Sequence, residues 1–128
     1  MESTGQINKA KILVVDDEEI IRIVMKRVLA DDGYTVLEAA NGQEAFEIYN
    51  HNRPALVTLD LLMPVMDGFQ FLRKIGEQGA RDCPVIVITG HGHKEEEQQS
   101  MELGARAFLK KPFSVGEFRK IVRGILLD

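Results

Sequence analysis

Five short apolar runs, rich in β-branched residues, alternate along this chain with segments whose apolar residues have helical spacing. The runs are KILVV (11–15), YTVLEA (34–39), ALVTL (55–59), PVIVIT (84–89) and RAFLK (106–110). Three of them are almost continuously apolar, as is typical of parallel strands covered on both faces. Strands that alternate with helices form right-handed βαβ units. The sequence therefore predicts an α/β fold, a doubly wound five-stranded parallel sheet with helices on both faces.

The length of the chain, 128 residues, corresponds to one domain with a substantial core. Turn residues such as Asn41-Gly42 and Asp67-Gly68 separate the predicted elements, and no linker or repeat interrupts them. The polar start of the chain lacks an apolar run. We therefore predict a flexible N-terminal tail at residues 1–9 and a single domain at residues 10–128.

Composition disfavours several classes of protein. The net charge is −4, whereas nucleic acids and anionic membranes attract basic surfaces. No apolar run approaches the roughly 20 residues that span a bilayer, and the N-terminus does not resemble a signal peptide. The single cysteine, Cys83, fits a reducing compartment. These features predict a cytoplasmic protein without direct nucleic-acid or membrane binding.

Polar residues that carry chemistry follow four of the five predicted strands. In an open α/β sheet, ligands bind beyond the carboxyl ends of the strands, so these residues share one edge. They are Asp16 and Asp17 after the first strand, Asp60 after the third, Thr89 at the end of the fourth, and Lys110 and Lys111 before Pro112 after the fifth. The second strand ends in Glu38, Ala39 and Ala40, which offer nothing so distinctive.

Three carboxylates at one edge repel one another unless a cation lies between them. Mg²⁺ prefers oxygen ligands in an octahedral arrangement, so the three acids predict a magnesium site. A hydroxyl and an ammonium facing the same cation suit a phosphoryl group, whose remaining oxygens need donors. The edge therefore predicts phosphoryl chemistry supported by a divalent cation.

Four motifs occur in order along the chain, and their combination is specific to one protein family. They are ILVVDDEE, LVTLDLLMPVMDGFQFL, PVIVITG and GARAFLKKPF. Together they resemble the receiver domain of two-component response regulators over almost the whole chain, from Lys11 to Leu127. The resemblance implies a flavodoxin-like fold with strand order 2-1-3-4-5, an order that is known for a protein of this family.

The resemblance also implies an acceptor and a metal site. Asp60 corresponds to the phosphoacceptor. The cation, Mg²⁺ or Mn²⁺, would be held by Asp16, Asp17, Asp60 and the backbone carbonyl of Leu62. Asp17 would bind it directly and Asp16 mostly through water.

The resemblance implies roles for five further residues. Thr89 and Lys111 would bind the phosphoryl group, and the bond between Lys111 and Pro112 would be cis. Phe108, three residues before Lys111, would switch together with Thr89 between two states. Gly68 would shape the loop beside the acceptor.

The implied function is a phosphoacceptor switch rather than an enzyme. The phosphoryl group would come from a sensor histidine kinase or a histidine phosphotransfer protein. Phosphorylation would change the surface formed by the fourth helix, fifth strand and fifth helix, through which a homodimer could form. The domain would assist its own phosphorylation and slow autodephosphorylation.

Several of these residues also have purely structural interpretations. Asp16 or Asp17 could cap the following helix. Thr89 is β-branched and common at a strand end. Phe108 could be only a core residue, and the sequence does not separate that interpretation from switching.

Two other functions are less consistent with the sequence. A small Mg²⁺-dependent phosphatase with an aspartyl-phosphate intermediate resembles haloacid dehalogenases, which have a second aspartate where this chain has Leu62. A transition-metal pair at His91 and His93 would need a third ligand and rigid geometry, which the neighbouring Gly90 and Gly92 disfavour.

Overall fold

The computed structural model describes residues 10–79, 83–90 and 94–127. The tail predicted for residues 1–9, and both His91 and His93, lie outside these ranges. The elements are β1 (Lys11–Val15), α1 (Glu19–Asp31), β2 (Thr35–Ala39), α2 (Gly42–Asn52), β3 (Leu56–Leu59), α3 (Gly68–Glu77), β4 (Val85–Thr89), α4 (Lys94–Glu102), β5 (Ala107–Lys110) and α5 (Val115–Leu127).

The five strands form one parallel sheet in the order β2-β1-β3-β4-β5. The predicted fold class and strand order are therefore confirmed. Every strand is followed by a helix, as right-handed βαβ crossovers require.

Two hydrophobic clusters cover the two faces of the sheet. Along β1 the side chains alternate between them, because successive residues of a strand point to opposite faces. Ile12 and Val14 join residues of α1 and α5, including Met25 and Phe118. Leu13 packs in the other cluster, which contains residues of α2 and α3. The apolar runs of β1, β3 and β4 are thus buried on both sides, whereas the edge strands β2 and β5 are only partly buried.

The strand register places the site. The backbone N–H of Asp16 donates to the carbonyl of Ala39 at 3.1 Å, which extends the pairing of β1 with β2. The N–H of Asp60 donates to the carbonyl of Val15 at 3.0 Å, which extends the pairing of β3 with β1. Both acids are consequently fixed by sheet hydrogen bonds at the carboxyl edge.

Helix α4 buries no apolar residue of its own. Its only buried residue is Ser100, while Met101 is 43% exposed. Among the described residues, no helix is long and apolar enough to cross a bilayer.

Candidate functional site

Three carboxylates converge at the carboxyl edge of the sheet, as predicted. Oxygens of Asp16, Asp17 and Asp60 all lie within 4.8 Å of one another. Asp16 is 2% exposed and Asp60 is 6% exposed, whereas Asp17 is open to solvent. An all-oxygen cluster with one open side fits Mg²⁺, which keeps several waters when it binds a protein.

The ammonium of Lys111 lies against the same carboxylates. Its Nζ donates to Asp16 Oδ2 at 2.7 Å, to Glu18 Oε1 at 3.0 Å and to Asp60 Oδ2 at 3.3 Å. The side chain of Lys111 is only 13% exposed. All three donors of the ammonium are therefore paired, and its charge partly neutralises the acid cluster.

Burial and pairing shift the pKa values of Asp16 and Lys111. Burial raises the pKa of Asp16, although hydrogen bonds from Lys111 and from the Glu18 amide oppose that shift. Burial alone would lower the pKa of Lys111, but its bonds to Asp16 and Glu18 outweigh this and raise it. Lys111 therefore stays charged, while Asp16 bears a desolvation cost that a bound cation would relieve.

The turn between β1 and α1 is held by hydrogen bonds to Asp16. Its Oδ1 accepts from the backbone N–H of Glu18 at 2.9 Å, and its carbonyl accepts from Arg22 Nη1 at 2.6 Å. The residue at the N-cap of α1 is Glu18, whose side chain makes no capping bond. Asp16 therefore organises the turn without itself being the N-cap.

Comparison with known proteins agrees with this geometry. Residues 12–123 match the family model described as the response regulator receiver domain. This chain belongs to the receiver domain family. It is therefore a phosphoacceptor domain of the two-component type, and the matches lend no support to the small phosphatase.

Individual relatives of this receiver cover it almost completely. Sporulation initiation phosphotransferase F of Bacillus subtilis is 41% identical over 118 residues, which are 91% of this chain and 93% of that protein. A probable transcriptional regulator, ycf27, of Cyanophora paradoxa is 40% identical over 121 residues, 94% of this chain but only 50% of that protein. The receiver thus spans about half the length of several curated relatives.

Solved structures have the same fold. Chemotaxis response regulator CheY4 of Vibrio cholerae is 33% identical, with a TM-score of 0.86 over 92% of this chain and 99% of that one. A chain of the CheX-CheY-BeF3-Mg²⁺ complex from Borrelia burgdorferi is 27% identical, with a TM-score of 0.88 over 94% of this chain and 92% of that one.

In this receiver, Thr89 and Phe108 lie where the sequence predicted them. Thr89 ends β4 and is fully buried, and its carbonyl accepts from the N–H of Lys111 at 2.9 Å. Phe108 is paired in register with Val87 and packs partly buried against the α2–α3 side of the core. The peptide bond between Lys111 and Pro112 is cis, as predicted. The switching roles of Thr89 and Phe108 stay predictions.

The loop after Asp60 is held tightly against its neighbours. The N–H of Gly68 donates to the Leu61 carbonyl at 2.9 Å, and a Cβ on Gly68 would lie 2.5 Å from the carbonyl oxygen of Asp60. The Met66 carbonyl accepts from the N–H of Gly42 at 2.8 Å. These contacts support the structural role predicted for Gly68.

Strain in this loop is concentrated at Val65. Its φ of 70° and the 2.8 Å bond from the Met66 N–H to the Pro64 carbonyl define a γ-turn of the rare positive-φ kind. A β-branched residue rarely adopts this conformation. Val65 is also 80% exposed, so core packing does not compensate for the strain.

Sequence reasoning missed three residues of the site. Glu18, Arg22 and Glu38 all take part in its hydrogen bonds. The expectation that the end of the second strand contributes nothing distinctive was wrong, because Glu38 binds Arg22, which in turn binds the carbonyl of Asp16. The acidic run after β1 was a signal for Glu18, whereas nothing in the local pattern linked Arg22 to Glu38.

Proposed function

We propose that Asp60 accepts a phosphoryl group from the phosphohistidine of a sensor histidine kinase or a histidine phosphotransfer protein. The observation that supports this most is the position of Lys111, whose ammonium bonds both Asp16 and Asp60 within the acid cluster. A buried carboxylate flanked by a cation and by further acids is suited to become an acyl phosphate.

The cation in this proposal is Mg²⁺ or Mn²⁺, held by Asp16, Asp17, Asp60 and the backbone carbonyl of Leu62. When bound, it would neutralise charge on the phosphoryl oxygens. This set of four ligands, with Asp16 acting mostly through water, is what the resemblance to receiver domains implies.

The chain's own residues would carry the transfer as follows. A carboxylate oxygen of Asp60 attacks phosphorus in line, an O–P bond forms, and the N–P bond of the donor breaks with its electron pair returning to imidazole. Lys111 leaves part of its pairing with Asp16 to hold a phosphoryl oxygen, and the Thr89 hydroxyl donates to another. No proton has to leave Asp60, because it reacts as the carboxylate.

The donor needs a surface beside Asp60, and an apolar groove begins there. It is lined by Glu18, Ile21, Val24, Lys111, Pro112, Phe113 and Val115. Because Glu18 and Lys111 also form hydrogen bonds with residues of the acid cluster, a donor helix lying in this groove would bring its histidine to the acceptor. We propose this groove as the donor's docking surface.

The output is proposed to be a change in the surface of α4, β5 and α5. Thr89 and Phe108 connect the acceptor edge to that surface, because they lie on the adjacent strands β4 and β5. The phosphorylated domain would lose its phosphoryl group slowly by its own hydrolysis. We also propose that the domain works in the cytoplasm, where its single cysteine stays reduced.

Phosphorylation by a small acyl phosphate with Mg²⁺ tests the acceptor directly. Wild type should gain one phosphoryl group in its intact mass, whereas Asp60→Asn should gain none, since an amide is neither a nucleophile nor an anionic ligand. Asp67→Asn is the matched control: Asp67 lies in the same loop and caps α3, and asparagine caps equally well. That control should be phosphorylated like wild type. Undiminished phosphorylation of Asp60→Asn would contradict the assignment.

A further inference from the structure

A polar network outside the acid cluster joins α1 to the ends of β1 and β2. Arg22 Nη1 donates to the carbonyl of Asp16 at 2.6 Å, and Arg22 Nε donates to Glu38 Oε1 at 3.3 Å. The other oxygen of Glu38 lies 3.3 Å from Nζ of Lys26. The side chain of Arg22 is only 16% exposed, so its guanidinium is mostly removed from water between these partners.

The network of Arg22, Glu38 and Lys26 lies against the β1–α1 turn, which contains two of the proposed cation ligands. The turn presents both members of the acidic pair, and Asp17 is exposed. Within the described part of the chain, the bonds that fix this turn run to Asp16 and not to the carboxylate of Asp17. The position of Asp17 is therefore set by the turn backbone, and Arg22 holds that backbone from the helix side.

We infer that Arg22, oriented by Glu38, is a positioning residue that holds the β1–α1 turn in the shape the divalent cation requires. The inference rests on the cation site of the proposed function. It assigns a role to the end of β2, where Glu38 fixes the direction of the guanidinium. Groups that orient metal ligands from behind commonly change metal affinity by about 10–100-fold when they are removed.

Electrostatics alone predicts that removal of Arg22 strengthens Mg²⁺ binding, which is opposite to what a positioning role predicts. Arg22 is a positive charge close to the acid cluster, and its removal should tighten binding of a divalent cation. A positioning role predicts that removal weakens binding, because Asp17 loses its fixed place. The sign of the change in Mg²⁺ affinity therefore separates the two interpretations.

Calorimetric Mg²⁺ titration of wild type, Arg22→Gln, Arg22→Lys and Glu38→Gln supplies the test. Arg22→Gln should weaken binding by about ten-fold or more. Arg22→Lys should also weaken it, since lysine keeps the charge but lacks the planar fork that reaches both partners. Glu38→Gln should act in the same direction, and should add little in the Arg22→Gln background because the two residues work together.

Lys26→Gln is the matched control, because Lys26 touches Glu38 but not the turn. Its Mg²⁺ affinity should stay within about two-fold of wild type, as for an exposed ion pair. Thermal melts without Mg²⁺ establish that each variant is folded. Hydrogen exchange without Mg²⁺ gives a second readout: the amides of Asp17 and Glu18 should exchange faster in Arg22→Gln than in wild type.

Equal or tighter Mg²⁺ binding by Arg22→Gln would overturn the inference. If wild type itself binds no Mg²⁺, the cation site of the proposed function fails, and the exchange measurement still decides whether Arg22 holds the turn. Unchanged exchange at Asp17 and Glu18 in folded Arg22→Gln would overturn that role too.

Discussion

At the scale of single residues, Leu62 should control how long the phosphorylated state lasts. It is two residues after Asp60, its N–H donates weakly to Asp60 Oδ1 at 3.4 Å, and the residue is 48% exposed. Hydrolysis of an aspartyl-phosphate needs a water aligned opposite Asp60, and leucine offers that water no hydrogen bond. The resemblance to receiver domains also implies that His91 flanks this path, and His91 lies outside the described residues.

Leu62→Asn should therefore speed dephosphorylation about ten-fold, or about 1.4 kcal/mol in the barrier, by positioning the water. Loss of phosphoryl label over time, with Mg²⁺ present, measures this rate in both proteins. Val65→Asn is the control, because Val65 is exposed on the same loop and asparagine tolerates its positive φ. Wild-type decay within seconds, or an unchanged rate in Leu62→Asn, would show that Leu62 does not set the lifetime.

A second residue-scale prediction concerns the stability of the core. Thr58 is 1% exposed in β3, and its hydroxyl has no hydrogen-bond partner among the described residues. It is paired in register with Val14 and Ile86, both of which are fully buried or nearly so. A buried hydroxyl without a partner costs free energy that an apolar group of the same shape does not.

Thr58→Val should accordingly raise the free energy of unfolding by about 1 kcal/mol. Urea denaturation followed by circular dichroism measures the change. Thr35→Val provides the comparison, since Thr35 is exposed at the start of the edge strand β2 and should change stability by about 0.5 kcal/mol or less. A loss of stability in Thr58→Val would mean that the hydroxyl is satisfied in solution.

At the scale of elements, helix α3 contains two glycines with opposite environments. A Cβ on Gly68 would lie 2.5 Å from the Asp60 carbonyl oxygen and 2.8 Å from Cα of Leu61, both of which are backbone atoms. A Cβ on Gly76 would meet nothing within 4 Å. The close approach of α3 to the acceptor therefore depends on Gly68 and not on Gly76.

Gly68→Ala should destabilise the fold by about 2 kcal/mol or more, because the backbone of the acceptor must move. Gly76→Ala, in the same helix, should stabilise it by up to about 1 kcal/mol through helix propensity. Thermal unfolding of both variants gives the two signs, and the intact-mass assay should show slower phosphorylation only for Gly68→Ala. Equal stability of the two variants would show that the backbone can accommodate a Cβ at Gly68 without cost.

The elements also show how far the sequence determines the site. Asp16, Asp60 and Lys111 could be predicted together, because parallel strands bring their carboxyl ends to one edge whatever the loops do. The contact between Arg22 and Glu38 could not be predicted, because it depends on the rotation of α1 about its axis and on the reach of long side chains, whereas the acidic run after β1 was at least a signal for Glu18. The short runs of β-branched residues were sufficient to predict the fold class. They were less exact about the ends of the strands, because several strands begin one residue later than the apolar runs.

At the scale of the whole molecule, charge is divided between neighbouring elements. Helix α4 exposes Glu95, Glu97 and Glu102, while β5 and α5 and the residue before β5 expose Arg106, Lys110, Lys120 and Arg123. Arg119 is already paired with Asp32 within the chain, at 3.1 Å. A two-fold axis places a surface against its own reversed copy, so acidic α4 of one molecule could face basic α5 of another.

We therefore predict that phosphorylation promotes a homodimer through α4, β5 and α5. Sedimentation at low salt, with beryllofluoride and Mg²⁺ as the phosphoryl mimic, should show dimer for wild type, and added salt should weaken it because exposed charges are screened. Arg123→Glu should shift the equilibrium to monomer, since it opposes like charges across the axis. Arg27→Glu makes the same change in net charge on exposed α1 and should leave the dimer intact. Wild type that stays monomeric at low salt with the mimic would exclude this dimer, and the divided charge would then be solvated surface.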